Sequence, residues 1–379
     1  MSEFIPLCVP QLTGNEWAYV KDCLDSGWVS SAGPYVTKFE QGIAQFTGAC
    51  YAVACVNGTA ALQVALRVVG VQPGDEVIVP TLTFIAPINA VHYLHAIPIF
   101  MDCDPHYCLD SAKTIEFIQT QTVFKNGATY NKTSGRCISA LIPVHVFGNA
   151  VYLDELVPLC KERNIKLVED ATESLGTRYT SGAFTTQHTG TVGDIGCFSF
   201  NGNKIMTTGG GGMIVTNQEA YAKKALYLTT QAKDDDVRYI HDEVGYNFRL
   251  TNIQAALGVA QLEELPHFIQ AKQTIYHTYK TYLTDKIADL PHFASNNCWM
   301  VAFRLNSYQE RESIFEKLKQ QAIQTRPIWY LNHLQKPYKN CQDFRIECAQ
   351  DLWEKTLNLP CSVSLTSSDI QHIVKLLDE

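Results

Sequence analysis

Apolar residues recur along this chain in two rhythms, and the two alternate. Leu62, Ala65, Leu66 and Val69 fall at i, i+3, i+4 and i+7, which predicts a helix face. Gly70 and then Pro73-Gly74-Asp75 end that helix. Short apolar runs follow: Glu76 to Val79, Ile97 to Met101, and Ser139 to Phe147, the last weakened as a strand by Pro143. Leu153, Leu156, Val157 and Cys160 mark another helix, and Lys166–Asp170, Gly196–Phe200 and Gly212–Thr216 read as further strands. Strands separated by helices predict a mostly parallel α/β sheet covered on both faces. Residues 111 to 138 are more polar and read as a loop or excursion. From Asn252 the texture changes: Ile253, Ala256, Leu257 and Ala260 form one face of a long helix, and mixed helices and short strands follow. The expected division is a large domain over 1–250 and a smaller α+β domain over 251–379, entered through that helix.

Composition narrows the possibilities. A chain of 379 residues with 46% hydrophobic content has room for two domains and a sizeable core. A formal net charge of −8 argues against a nucleic-acid binder or a polybasic membrane-surface protein. It leaves room for an anionic small substrate held by a local cluster of donors. The 13 cysteines are scattered and include no CxxC pair, which predicts reduced thiols in a cytoplasmic protein. The 11 histidines make no HExxH pattern, so no metal site is expected. Met1-Ser-Glu-Phe-Ile-Pro carries no charged region ahead of an apolar one, so no leader is expected. The apolar stretch from Val77 to Met101 is broken by three prolines and by Asn89, His92 and His95, so no membrane span is expected.

Two polar residues stand out against this background. Asp170 closes the strand run Lys166-Leu-Val-Glu-Asp170, and Lys204 follows a later one inside Ser199-Phe-Asn-Gly-Asn-Lys204. A lysine there can hold an aldehyde cofactor as a Schiff base, and the aspartate can keep the cofactor's ring nitrogen protonated. Asn57-Gly-Thr-Ala-Ala opens the first helix, where free backbone N–H groups suit a phosphate. By itself that reads first as an ordinary capped helix. Ser199 can add a hydroxyl, or simply end a strand. Phe84, in Thr81-Leu-Thr-Phe-Ile-Ala86, can stack on a flat ring, although alone it reads as core packing. Gly209 to Gly212 lacks the Lys-Ser/Thr of a phosphate loop and reads as a tight turn that lets backbones pack closely near Lys204.

Ser199-Phe-Asn-Gly-Asn-Lys-Ile-Met-Thr-Thr-Gly-Gly-Gly-Gly resembles the lysine motif of the DegT-type nucleotide-sugar aminotransferases, pyridoxal phosphate (PLP) enzymes of fold type I. Gly27-Trp-Val-Ser-Ser, Pro73-Gly-Asp-Glu-Val-Ile-Val-Pro, Val168-Glu-Asp-Ala-Thr-Glu-Ser-Leu-Gly and Gly245-Tyr-Asn-Phe-Arg-Leu-Thr-Asn agree in order. So do Gln324-Thr-Arg-Pro and His333-Leu-Gln-Lys-Pro-Tyr338 near the C-terminus.

The resemblance implies roles for matching positions. Lys204 forms the internal Schiff base and Asp170 pairs with the pyridine nitrogen. Glu173 sits near the ring hydroxyl, where relatives often carry Gln or His. Ser199, Gly58 and Thr59 hold the phosphate, and Phe84 stacks on the ring. Asn247 reaches the phosphate in a neighbouring subunit, which implies a homodimer with shared active sites. Arg326, His333 and Tyr338 line the sugar-nucleotide pocket. Gly210 stands where many relatives carry a glutamate.

The blocks Trp28-Val-Ser-Ser, Pro80-Thr-Leu-Thr-Phe-Ile-Ala-Pro and Thr229-Thr-Gln-Ala-Lys-Asp look most like the subgroup that aminates C4 of UDP-2-acetamido-2,6-dideoxy-4-keto sugars. That subgroup serves bacillosamine and legionaminic acid synthesis for bacterial surface glycans, with L-glutamate as donor and the cofactor cycling between PLP and its pyridoxamine form. GDP-perosamine synthases and a PLP-dependent sugar lyase are the alternatives. A nucleotide-binding oxidoreductase lacks its glycine fingerprint here, and a PLP-binding sensor lacks its appended DNA-binding module.

Overall fold

A computed structural model describes residues 4–378, so Met1, Ser2 and Glu3 of the expected leaderless N-terminus lie outside the described residues. Eight strands form one central sheet. Across the sheet they run Tyr51–Cys55, Gly212–Thr216, Ile195–Ser199, Lys166–Asp170, Ile138–Leu141, Glu76–Pro80, Ile97–Met101 and Asp343–Phe344. Gly212–Thr216 is antiparallel to both neighbours, and every other pairing is parallel. This is the mostly parallel, helix-flanked sheet of the PLP-dependent fold type I. Burial follows the pattern: Glu76–Pro80 and Gly212–Thr216 are buried along their whole length, as strands covered on both faces must be.

The sheet aims chemistry at its strand ends. The run from Ser139 was expected to reach Phe147, but the strand stops at Leu141. Pro143 has no N–H to give, and beyond it the chain turns into a 3-10 turn at Val146–Gly148 with Phe147 at φ 59°. The interval 111–138 is more structured than its polarity suggested. Asp110 caps the helix Ser111–Thr120 through Lys113 N–H at 2.9 Å. Asn126-Gly127, both at positive φ, turns the hairpin of Thr122–Lys125 and Ala128–Asn131.

The helix Asn252–Leu283 begins with a reciprocal cap between Thr251 and Gln254 and runs 32 residues. Beyond it, Val301–Arg304, Thr356–Leu359 and Arg326–Pro327 make a small antiparallel sheet. This later part of the chain also returns to the large sheet, since Asp343–Phe344 pairs with Phe100 and Met101 at its edge. The fully buried Asp102 fastens that return. Its carboxylate accepts the N–H groups of Glu347, Cys348 and Ala349 at 2.8–3.0 Å and Lys113 Nζ at 2.6 Å. Among the described residues no helix is long and apolar enough to cross a membrane, and no three His, Cys, Asp or Glu side chains gather as a metal site.

Candidate active site

The turn that follows Lys166–Asp170, the end of Ile195–Ser199 and the start of the helix Gly58–Val68 bound one cavity of about 580 Å³. Lys204 enters it from the turn after Ser199, where its N–H donates to Asn201 O at 3.0 Å. Its Nζ lies 3.4 Å from Glu173 Oε1 and 4.4 Å from the centre of the Trp299 ring. Trp299 is fixed in turn by its indole N–H, which donates to Asn203 O at 2.8 Å.

Two buried carboxylates face this lysine. Glu173 lies in the wall, and its Oε2 accepts the N–H of Phe147 at 2.9 Å, the residue left in the left-handed region by the chain turn after Pro143. Burial raises the Glu173 carboxyl, and the nearby Lys204 charge pulls it back. Asp170 is 2% exposed and stands behind the wall at the end of its strand. Burial raises its carboxyl, opposed first by hydrogen bonding from Thr172, whose N–H is 3.1 Å away, and then by the Lys204 charge. Donors from Thr172 alone leave part of this carboxylate's acceptor capacity unused.

The opposite end of the cavity is built for an anion. Asn57 caps the helix: its Oδ1 accepts Ala60 N–H at 2.8 Å and its carbonyl accepts Ala61 N–H at 3.1 Å. The N–H groups of Gly58 and Thr59 at the same helix start are left to face the cavity. Gly58 is pressed against Ser199: a Cβ there would stand 2.8 Å from Ser199 Cβ. Gly212 allows the next approach, since a Cβ on it would stand 2.4 Å from Asn57 O. The glycine run thus packs a strand directly against the helix start.

Of the residues singled out from sequence, Gly58, Thr59, Phe84, Glu173, Ser199, Lys204 and Arg326 line the cavity, with Asp170 behind it. Phe84 is 53% exposed, so its ring faces the opening and does not pack in the core. Three others lie elsewhere. Asn247 is exposed and bridges Thr230 through its backbone. His333 lies outside the cavity because Asn332 ties its turn to the Thr81 and Thr83 carbonyls, which brings His333 Nδ1 to 2.7 Å from Thr81 Oγ1. Tyr338 is buried, and its hydroxyl donates to Asn89 at 2.6 Å. The wall residues that went unread in the sequence include Cys8, Trp299, Trp329 and Asn358. The signals existed only in space. Trp329 stacks on Phe147 at 5.0 Å, and the buried Asn358 Oδ1 has no hydrogen-bond partner.

The profile of the DegT/DnrJ/EryC1/StrS aminotransferase family matches residues 10–378. A GDP-perosamine synthase of Escherichia coli O157:H7 is 38% identical over 100% of this chain and 98% of its own. A Bacillus subtilis protein, EpsN, named as a pyridoxal phosphate-dependent aminotransferase, is 34% identical over 100% of this chain and 96% of its own. The crystal structure of a DegT DnrJ EryC1 StrS aminotransferase from Brucella abortus superposes with a TM-score of 0.87 at 25% identity, covering 96% of this chain and 94% of that one.

Proposed function

Because this chain belongs to the DegT/DnrJ/EryC1/StrS aminotransferase family, a family of PLP-dependent enzymes that act on sugars, we propose that it aminates C4 of a GDP-linked 4-keto-6-deoxy sugar in the manner of a GDP-perosamine synthase. The amino donor in this reading is L-glutamate. The UDP-2-acetamido sugar suggested by the motif blocks takes second place. The full-length relative reported above carries the GDP-perosamine name.

The residues fit the cofactor. The open helix start at Gly58 and Thr59, with the Ser199 hydroxyl beside it, suits a phosphate dianion. Lys204 offers an amine, and Asp170 offers a carboxylate with unused acceptor capacity. Phe84 supplies an uncovered ring. When bound, PLP supplies a carbonyl that links to amines and a protonated ring that takes up the electrons of a carbon losing its proton.

The chain's own groups then divide the work. Lys204 would hold the cofactor in the resting enzyme. Once free, its Nζ would carry the proton from the donor's Cα to the cofactor's aldehyde carbon, and in the second half-reaction would carry one from that carbon to C4 of the sugar. Glu173, 3.4 Å from that Nζ, and the Trp299 ring limit its swing. Asp170 keeps a positive charge on the ring nitrogen, each pKa unit of that stabilisation being worth about 1.4 kcal/mol. Arg326 on the cavity rim faces an anionic substrate. We also take the working assembly to be a homodimer in which Asn247 reaches the neighbouring cofactor's phosphate, with residues 1–250 as the cofactor domain and 251–379 as the smaller one. Thirteen unpaired thiols agree with a cytoplasmic enzyme.

The observation that carries the proposal is the convergence of Lys204, Glu173 and the uncapped N–H groups of Gly58 and Thr59 on one cavity, with Asp170 behind it. The test loads the enzyme as its pyridoxamine form and offers GDP-, UDP- and dTDP-linked 4-keto-6-deoxy sugars while following the return of the aldehyde's visible absorbance. The GDP sugar should react fastest. Faster reaction of the UDP-acetamido sugar would restore the first reading, and release of ammonia without oxoacid from the donor would favour the lyase.

A further inference from the structure

The cavity wall contains a cluster that the amination does not use. Lys272, on the long helix, is 1% exposed, and among the described residues no carboxylate pairs with it. Its Nζ donates to Trp299 O at 3.1 Å and lies 3.3 Å from Cys8 Sγ and 3.6 Å from Cys361 Sγ. An ammonium buried among a carbonyl and two sulfurs needs a counter-charge, and among the described residues the thiols are the groups placed to provide one.

The two cysteines are held side by side by their backbones. Cys361 N–H donates to Leu7 O at 2.7 Å, and Val9 N–H donates to Ser362 Oγ at 3.1 Å, so residues 7–9 run along 361–362. Both sulfurs flank the Lys272 ammonium, and the Cys361 thiol donates to Trp299 O at 3.4 Å. The neighbouring Cys361 thiol and the Lys272 charge lower the Cys8 thiol against the opposing effect of burial, while the neighbouring Cys8 sulfur and burial push Cys361 up. The exposures differ in the same sense: Cys8 lines the open cavity, and Cys361 is fully buried behind it.

We propose that Cys8 and Cys361 form an oxidisable dithiol, with Lys272 as its buried counter-charge, that reacts with hydroperoxides entering the cavity and closes to a disulfide. The Cys8 thiolate attacks the peroxide O–O bond. An S–O bond forms, the O–O bond breaks, and the leaving oxygen takes a proton and departs as water or an alcohol. The Cys8 sulfur loses two electrons to the peroxide. Cys361 then gives up its proton and attacks Cys8 sulfur. The S–S bond forms, the S–O bond breaks, and the departing hydroxide combines with that proton as water. The exposed partner is the attacking thiol and the buried one the resolving thiol. Closure also bears on the amination machinery, because Cys8 Sγ stands 3.5 Å from the carbonyl of Asn203, which also anchors Trp299, and Lys204 is the next residue. The inference does not depend on which sugar the enzyme aminates.

The test treats the PLP-loaded enzyme with hydrogen peroxide, quenches with an alkylating reagent and maps peptides by mass spectrometry. A Cys8–Cys361 linked peptide should form and be lost with dithiothreitol. In Cys361→Ser the Cys8 sulfenic acid should persist and be trapped by dimedone; in Cys8→Ser, Cys361 should stay reduced. A second measurement needs no variant. Between pH 6 and 7.5 a free cysteine peptide gains about 30-fold in alkylation rate as its thiol ionises, whereas Cys8, already ionised, should change less than about twofold. Absence of the linked peptide, or a Cys8 rate that climbs like the free peptide's, would overturn the proposal.

Discussion

His145 Nε2 lies 2.9 Å from Glu169 Oε2, and neither side chain reaches solvent. Glu169 also accepts the N–H groups of Gly190, Val192 and Gly193 at 2.6–2.8 Å, and His145 Nδ1 accepts Val151 N–H at 3.1 Å. With Nδ1 accepting, the ring donates from Nε2. The backbone of the same histidine donates to Asp170 O at 3.0 Å, so this pair fixes the strand end that presents Asp170. His145→Ala takes a donor from a buried carboxylate and opens a void. Its urea midpoint should fall by the equivalent of about 3 kcal/mol. His145→Gln, whose amide can still donate, should lose clearly less. An unchanged midpoint in His145→Ala would mean the pair holds nothing together.

Lys204→Ala removes the one amine in the cavity that the proposed chemistry can use. The variant should show no turnover and no absorbance band of lysine-bound PLP, with its circular dichroism unchanged. Measurable turnover would remove Lys204 from the mechanism.

Gly58→Ala tests the phosphate end. Its new Cβ would meet Ser199 Cβ at 2.8 Å, so the helix start must move away from the serine. PLP affinity should weaken by about tenfold, or 1.4 kcal/mol, measured by fluorescence titration of the apoenzyme. Affinity equal to wild type would place the phosphate elsewhere.

Asp104 sets a pH dependence. Burial raises its carboxyl to about 7, against the hydrogen bonds from Cys108 and His106 N–H and against an unfolded value near 3.8. A raised folded pKa means that the folded state keeps a proton the unfolded chain has lost. The stability linked to that proton is full below about pH 4 and disappears as pH rises through about 7. Asp104→Asn keeps the acceptor oxygen and removes the titration. Its stability relative to wild type should therefore improve progressively from pH 4 to 8 in urea melts. A constant difference across that range would show that Asp104 does not titrate there.

Asn247 tests the shared site. If it serves the neighbouring subunit, Lys204→Ala and Asn247→Asp homodimers should each be inactive, the second through repulsion of the phosphate. Unfolding and co-refolding the two should restore about a quarter of wild-type activity, since half the dimers are hybrids with one intact site each. No recovery, with hybrids confirmed by native mass spectrometry, would place Asn247 in its own subunit's site or in neither.

Many of the residues that meet at the cavity were readable because they sit at element boundaries. Asp170 ends a strand, Lys204 follows another, and Gly58-Thr59 open a helix, all positions marked by changes in apolar rhythm. The placement of the three C-terminal candidates was not. Arg326 reaches the cavity, but His333 and Tyr338, only seven and twelve positions on, are turned away by hydrogen bonds to Thr81 and Asn89. Those bonds join segments about 250 positions apart, and no local pattern announces them.

The sequence alone determined the alternation of strands and helices, the layered α/β class and the residues able to carry the chemistry, because hydrophobic period, capping and turn chemistry act over a few neighbouring residues. Only the tertiary structure decided that Trp299, Trp329, Asn358 and Cys8 share a wall with Lys204, and that Lys272 lies beside the sulfurs of Cys8 and Cys361. A cavity wall is assembled from segments hundreds of positions apart, and which side chains face it depends on packing and hydrogen bonds formed only when those segments meet.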